Sequence, residues 1–418
     1  MLECGELEAT DRPAIAGGSP IKTTPFGKAR RYGDDELREL QEAIEQDTLF
    51  YAQGKKVRQL EEAFAEYTGA RFAIACSSGT SAIHAALIAA GISPGDEVIT
   101  TPITDMGTVI PILYQGAIPV FADVSPQSIT LSPAAVEALI NPRTKAVMAV
   151  HLGGNPCDLD GLRALCDRHQ IMLIEDCAQA IGARYKGCPV GTRGAIGCFS
   201  LNEYKHISCG DGGIVVTDDE VLGHRLRLAT DKAYNREPNA AVRHPTFLAG
   251  NYRMTELQGA VALAQLRKLD NITARRRLWC RELNRRLRGL HGLTLPAANA
   301  GGDPSWWFYP MQVRPDEMSA DADSFAAALR AEGIPVRAHY IGVCVYEYPV
   351  FTDHSAFARG DHAYARYEYR KGLCPVAERV LRDCVILNIN EAYTPADLDD
   401  TEKAIRRVVG WYRVNPAA

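Results

Sequence analysis

The feature that most restricts what this chain can fold into is the regular alternation of short apolar runs with amphipathic stretches, from about residue 34 onwards. "RFAIAC", "DEVITT", "IPVFADV", "KAVMAVHL" and "IMLIEDCAQ" are brief and almost wholly apolar. Runs of that length and character read as strands buried on both faces. Between them lie "SSGTSAIHAALIAAGI", "GTVIPILYQGA" and "DLDGLRALCDRHQ", each with helical spacing, the last with an aspartate cap at Asp158. Two amphipathic helices precede the series, "DDELRELQEAIEQ" and "KKVRQLEEAFAEYTG", the second closed by Gly69. Strands that alternate with helices predict an α/β fold, a mostly parallel sheet covered by helices on both faces. Further on, "MTELQGAVALAQLRKLDNITARRRLWCRELNRRL" reads as one long connecting helix or two. The strand "WWFYPMQVR", the helix "DADSFAAALRAEGI" and a last helix then make a smaller α+β unit. The expected division is an N-terminal extension over 1–27, a large domain over 28–290 and a small C-terminal domain over 291–418.

A chain of 418 residues exceeds the usual size of one core, in keeping with that division. A net charge of -5 gives no sign of nucleic-acid binding, and the short arginine run Arg275–Arg277 reads as a solvated helix face. The acidic start "MLECGELEATDRP" lacks the basic residues and apolar run of a signal peptide, and no apolar run is long enough to span a bilayer. A cytoplasmic protein without a membrane partner is therefore expected. The twelve cysteines are scattered and never form CxxC. Cys76, Cys177 and Cys198 sit in apolar runs as small hydrophobes, so neither a metal site nor a disulfide framework is expected. Cys209 stands out for lying four residues after Lys205.

In parallel sheets ligands gather beyond the carboxyl ends of the strands, which directs attention to three places. At "CSSGTSAIH" a strand enters a helix through Ser78, Gly79 and Thr80, whose amides and hydroxyls suit a phosphate. Taken alone, a plain serine or threonine cap explains this stretch as well. At "LIEDCAQAIGA" Glu175 and Asp176 end an apolar strand, where a carboxylate needs a partner or a function. Lys205 follows the strand "GCFSLN", 29 residues after Asp176. A phosphate cradle, a strand-end aspartate and a lysine after another strand, in that order, are what a pyridoxal 5'-phosphate (PLP) enzyme needs. The lysine forms a Schiff base with the cofactor aldehyde, and the carboxylate pairs with the protonated pyridine nitrogen.

The stretches "SSGTSAIHAALIAAGISPGDEVITTP", "IPVFADV", "IEDCAQAIGARYKGCPVGTRGAIGCFS", "KHISCGDGG" and "GNYRMTELQGAVALAQL" together resemble the sugar aminotransferases of the DegT/StrS type, over nearly the whole chain. The resemblance implies fold type I of the PLP enzymes, the aspartate aminotransferase-like architecture. It implies Lys205 as the Schiff-base lysine, Asp176 facing the pyridine nitrogen and Gln179 against the ring near its phenolic oxygen. Gly79, Thr80 and Ser200 would bind the phosphate, with Ser78 beside them. Asn251, in "GNYRM", would reach the phosphate of a neighbouring subunit's cofactor, which implies a homodimer with shared active sites. The family usually places an aromatic ring-stacker after "TTP". Here the text is "ITDMGT", so Met106 would pack on the ring or Asp105 would touch substrate. From the small domain Arg337, His339 and Tyr340 are candidate substrate contacts, and Tyr51 and Lys55 are candidates to close over the site from the partner chain. His206 points away from Lys205 in extended backbone and reads as structural. His151, at a strand tip, reads as a residue of the site wall.

The activity so implied is amino transfer from L-glutamate or L-glutamine to a keto-sugar or keto-cyclitol, as in aminosugar or antibiotic biosynthesis. Non-transfer PLP chemistry such as dehydration, and a PLP-binding regulatory protein without turnover, are the alternatives. Related sugar dehydratases replace the lysine, so Lys205 weighs against the first, and Lys205 with Asp176 weighs against the second. The sequence leaves the acceptor open.

Overall fold

The protein is described from a computed structural model covering residues 12–237, 239–358 and 362–414; the acidic start that argued against a signal peptide falls largely outside them. A seven-stranded sheet organises the fold. Its strands are β1 (Phe72–Cys76), β2 (Glu97–Thr100), β3 (Ile118–Phe121), β4 (Thr144–Val150), β5 (Met172–Asp176), β6 (Ile196–Ser200) and β7 (Gly213–Thr217), in the spatial order β1-β7-β6-β5-β4-β2-β3. Only β7 runs against the rest, pairing antiparallel with both β6 and β1. The sheet is therefore mostly parallel, as the alternating pattern predicts, and the glycine-rich turn before β7 returns the chain into it.

Both faces of the sheet are apolar because successive side chains on a strand point to opposite sides. Val147 and Ala149 of β4 enter one core with Leu60, Phe64 and Leu162, while Ala146 and Met148 enter the other with Ile83, Leu87 and Ile112. The covering helices begin where side-chain caps satisfy their first amides. Asp158 accepts from the amide of Gly161 at 3.1 Å, fulfilling the expected cap on helix Leu159–His169. Gly69, at φ 75°, ends helix Lys56–Thr68 in the left-handed conformation that glycine adopts without strain.

The predicted connecting helix is two helices, Glu256–Leu266 and Leu269–Leu287. Beyond them a four-stranded antiparallel sheet (Leu293–Thr294, Phe308–Val313, Cys384–Asn388 and Val336–Ala338, in spatial order) packs with helices Ala322–Ala331 and Pro395–Val414 around a core of its own. Two features cross the expected division. Cys344, Phe351, Tyr369 and Leu381 join the core of the seven-stranded sheet. The N-terminal segment is fastened to the C-terminal unit: buried Glu332 accepts from the amides of Ala14 and Ile21, and Lys22 pairs with Asp397 at 2.8 Å.

The two carboxylates ending β5 project to opposite sides. Glu175 is fully buried and accepts hydrogen bonds from the amides of Gly191 (2.7 Å), Arg193 (2.8 Å) and Gly194 (2.6 Å). His151 Nε2 lies 3.0 Å from the same carboxylate, and the Cys157 amide donates to its Nδ1. The proton on Nε2 thus points at Glu175, which makes His151 a core residue rather than part of the site wall. Cys177 lies close enough for its sulfur to complete a group of three metal-ligand types, yet these hydrogen bonds already engage Glu175 and His151. Glu175 is a knot tying the 191–194 loop to β5. Its replacement by Ala leaves three loop amides and a buried imidazole unpaired, so Glu175→Ala is expected to destabilise the protein by about 3–5 kcal/mol and Glu175→Gln by clearly less, read from chemical denaturation midpoints.

Candidate active site

Asp176, on the other side of β5, opens a cavity of about 220 Å³ at the carboxyl ends of the strands. Ser78, Gly79, Thr80, Asp105, Gln179, Ser200 and Lys205 line the same cavity. Eight positions singled out in the sequence thus meet in one place.

The phosphate-type end is the start of helix Gly79–Ala89. Ser78 caps it reciprocally: its hydroxyl accepts from the Ser81 amide at 3.0 Å, while the Ser81 hydroxyl accepts from the Ser78 amide at 2.8 Å. That leaves the amides of Gly79 and Thr80 without intrahelical acceptors, pointing along the positive end of the helix dipole. Gly79 is required here, because a Cβ on it would lie 2.7 Å from Ser200 Cβ. A Cβ on Gly213, at the start of β7, would lie 2.2 Å from the Ser78 carbonyl oxygen. The cradle is therefore bare backbone closed around hydroxyls, a donor set that fits a phosphate monoester.

The other pole is Asp176. Thr108 donates to its Oδ2 at 2.7 Å and the Ala178 amide to its Oδ1 at 3.0 Å. Thr104 lies 2.6 Å from the Thr108 hydroxyl and extends the chain. Burial raises the pKa of Asp176, and these hydrogen bonds together with the charges of Lys205 and His151 oppose the rise. Burial lowers the pKa of Lys205, while Asp176 and Asp105 pull it back. A buried carboxylate and an amine made easier to deprotonate thus share one cavity, a pairing suited to holding a cationic ring nitrogen and to moving a proton.

Gln179 is fixed at both ends. Its Oε1 accepts from the Gly153 amide at 2.8 Å, and its Nε2 donates to Tyr340 Oη at 2.9 Å, bringing Tyr340 from the C-terminal unit to the cavity edge. Asp105 caps helix Met106–Tyr114, accepting from the Gly107 amide at 2.8 Å, and reaches the cavity.

Other expected contacts lie elsewhere. Met106 packs against the core of the large sheet and does not line the cavity, because the cap at Asp105 turns it inward. His339 faces away, with Nδ1 at 2.9 Å from the Leu381 carbonyl and Nε2 at 3.1 Å from Asp323. Tyr51 and Asn251 lie outside this cavity but close to one another: Tyr51 donates to Asp231 at 2.6 Å, and Asn251 forms a bridge with Asp231. His206 is buried, its Nε2 3.2 Å from the Ser305 carbonyl. The sequence reading passed over Thr104, Thr108, Asn202, Asp211 and Trp307. The first two stand four apart around a helix start, a spacing that places both hydroxyls on one side. Trp307, whose ring centre lies 4.1 Å from Lys205 Nζ, carries no local signal at all.

Comparison with known proteins accords with this geometry. The sequence profile of the DegT/DnrJ/EryC1/StrS aminotransferase family matches residues 31–406. The chain is 35% identical over 359 residues to the GDP-perosamine synthase of Caulobacter vibrioides, covering 85% of this chain and 91% of that one. It is 32% identical over 385 residues to the spore coat polysaccharide biosynthesis protein SpsC of Bacillus subtilis, covering 90% and 95%. Among solved structures, an aminotransferase from Psychrobacter cryohalolentis superimposes with a TM-score of 0.83 at 28% identity, covering 93% of this chain and 100% of that one. The 3-amino-5-hydroxybenzoic acid synthase does so with 0.82 at 28% identity, covering 94% and 99%. The chain belongs to the DegT/DnrJ/EryC1/StrS aminotransferase family, whose members are PLP-dependent enzymes.

Proposed function

We propose that the protein transfers an amino group from L-glutamate or L-glutamine to a keto-sugar or keto-cyclitol, with Lys205 and Asp176 as its principal catalytic groups. The observation that carries this reading is the meeting of Lys205, Asp176 and the amide cradle of Gly79 and Thr80 in one cavity. The kinship with a perosamine synthase and a polysaccharide biosynthesis protein supports a sugar-type acceptor.

When bound, PLP supplies an aldehyde that takes up the amino group and a ring that accepts the electron pair left by a departing α-proton. In this chain Ser78, Gly79, Thr80 and Ser200 would hold the phosphate. The Asp176 carboxylate would face the pyridine nitrogen, and the Thr108 hydroxyl, backed by Thr104, favours its ionised form and aims it. Gln179 would lie by the phenolic oxygen, its amide held still by Gly153 and Tyr340. Lys205 would be the attachment point, and its free amine would carry the proton at the donor carbon, a role its lowered pKa serves. Asp105 offers a carboxylate oxygen to substrate hydroxyls. We place Asn251 at the phosphate of a partner subunit's cofactor in a homodimer, with Tyr51 beside it through their common neighbour Asp231.

Incubation of PLP-loaded protein with L-glutamate or L-glutamine should release the matching 2-oxo acid in single turnover, and a panel of keto-sugars and keto-cyclitols should then take up the nitrogen. Failure of both donors to yield an oxo acid would sink the aminotransfer reading. The Thr108 hydroxyl favours the charged form of Asp176, so its loss raises the carboxyl's pKa. Thr108→Val is accordingly expected to move the acid limb of the pH–activity profile upward by roughly one pH unit.

A further inference from the structure

Among the described residues, the indole of Trp307 is the aromatic face that meets the side-chain nitrogen of Lys205. Lys205 Nζ lies 4.1 Å from its ring centre, well within cation–π range. The ring is held in that position. Its Nε1 donates at 2.6 Å to the carbonyl of Tyr204, the residue before the lysine, and its backbone amide donates at 2.8 Å to the Gly153 carbonyl. Gly153 in turn donates to Gln179 at 2.8 Å, so Trp307 is tied to the same loop that fixes a proposed cofactor contact. Tyr340 abuts the indole edge-on, with ring centres 6.5 Å apart and planes at 86°.

We propose that Trp307 is a positioning residue that seats the side-chain nitrogen of Lys205 whenever that nitrogen is free of the cofactor, keeping it beside the donor carbon. The inference rests on the reading of Lys205 as the proton carrier. A lysine that alternates between covalent attachment and proton transfer has four flexible bonds, and between those duties it needs a fixed resting place. The charged groups around it do not provide one: Asp176 is hydrogen-bonded to Thr108 and Ala178, and Asp105 is engaged by Gly107. His206, on the neighbouring position, is buried and held neutral by that burial and by Arg276, so it offers no counter-charge. Arg31 donates to the Lys205 backbone carbonyl at 2.9 Å. The negative face of the indole stabilises an ammonium once Nζ has accepted a proton, and its edges confine the side chain. The aromatic surface missing after Pro102 is thus supplied from the C-terminal unit, but to the lysine.

The test replaces Trp307 alone with mono-, di- and tetrafluorotryptophan, which weaken the ring's negative face while keeping its shape. In the cofactor-free full chain, the pH dependence of Lys205 acetylation by acetic anhydride, read by mass spectrometry of its peptide, gives the amine's pKa. Stepwise fluorination should lower that value, by about one pH unit across the series, a tenfold change in the protonation ratio. A value that does not follow the fluorine count overturns the proposal. In the PLP-loaded enzyme the same series should slow the first-order conversion by L-glutamate while leaving the apparent glutamate Kd unchanged. A pKa that follows the series with an unchanged conversion rate supports the seat and sinks the reading of Lys205 as the base.

Discussion

The site depends on one interaction, the hydrogen-bonded burial of the Asp176 carboxylate at the end of β5. An ionised carboxylate inside an apolar sheet is costly unless its oxygens are met. Here Thr108 meets one and the Ala178 amide the other. The requirement explains why helix Met106–Tyr114 starts where it does. Its cap at Asp105 sets the first turn so that Thr108 points at β5 and Thr104 backs it up. The same cap carries Asp105 to the cavity and packs Met106 against the core.

Glu175, one residue earlier, solves the same physical problem for a structural end. Its neighbours are three loop amides and an imidazole, all on the face of β5 away from the cavity. Two adjacent acids therefore divide between architecture and chemistry by the alternation of a strand.

Charge is distributed unevenly in the cavity. Lys205 is the only cation among the described lining residues, against Asp105, Asp176 and Asp211. A phosphate in the cradle would be held by helix amides and hydroxyls rather than by a basic side chain of this subunit. That arrangement leaves the one amine in an environment where its proton is not fixed by a tight ion pair, the condition a proton carrier needs.

The order of elements, the parallel sheet and the three strand ends were legible because buried strands and capped helices leave strong local patterns. The cradle and Asp176 could be found by the strand-end rule, and Lys205 by its place after both. What escaped were contacts made across the fold. Trp307 reaches Lys205 from the residue before strand Phe308–Val313, about a hundred residues away, and no local pattern marks an aromatic whose face meets a distant lysine. His339 was misplaced because its segment was known but not its direction: a left-handed backbone at φ 51° turns the ring toward Asp323. The central claim is that Lys205 is the amine that holds the cofactor. Borohydride reduction of the PLP-loaded protein followed by peptide mapping tests it most directly. A cofactor tag on Lys205, within the peptide Phe199–Gly213, is the expected result, and a tag on any other lysine would contradict the account.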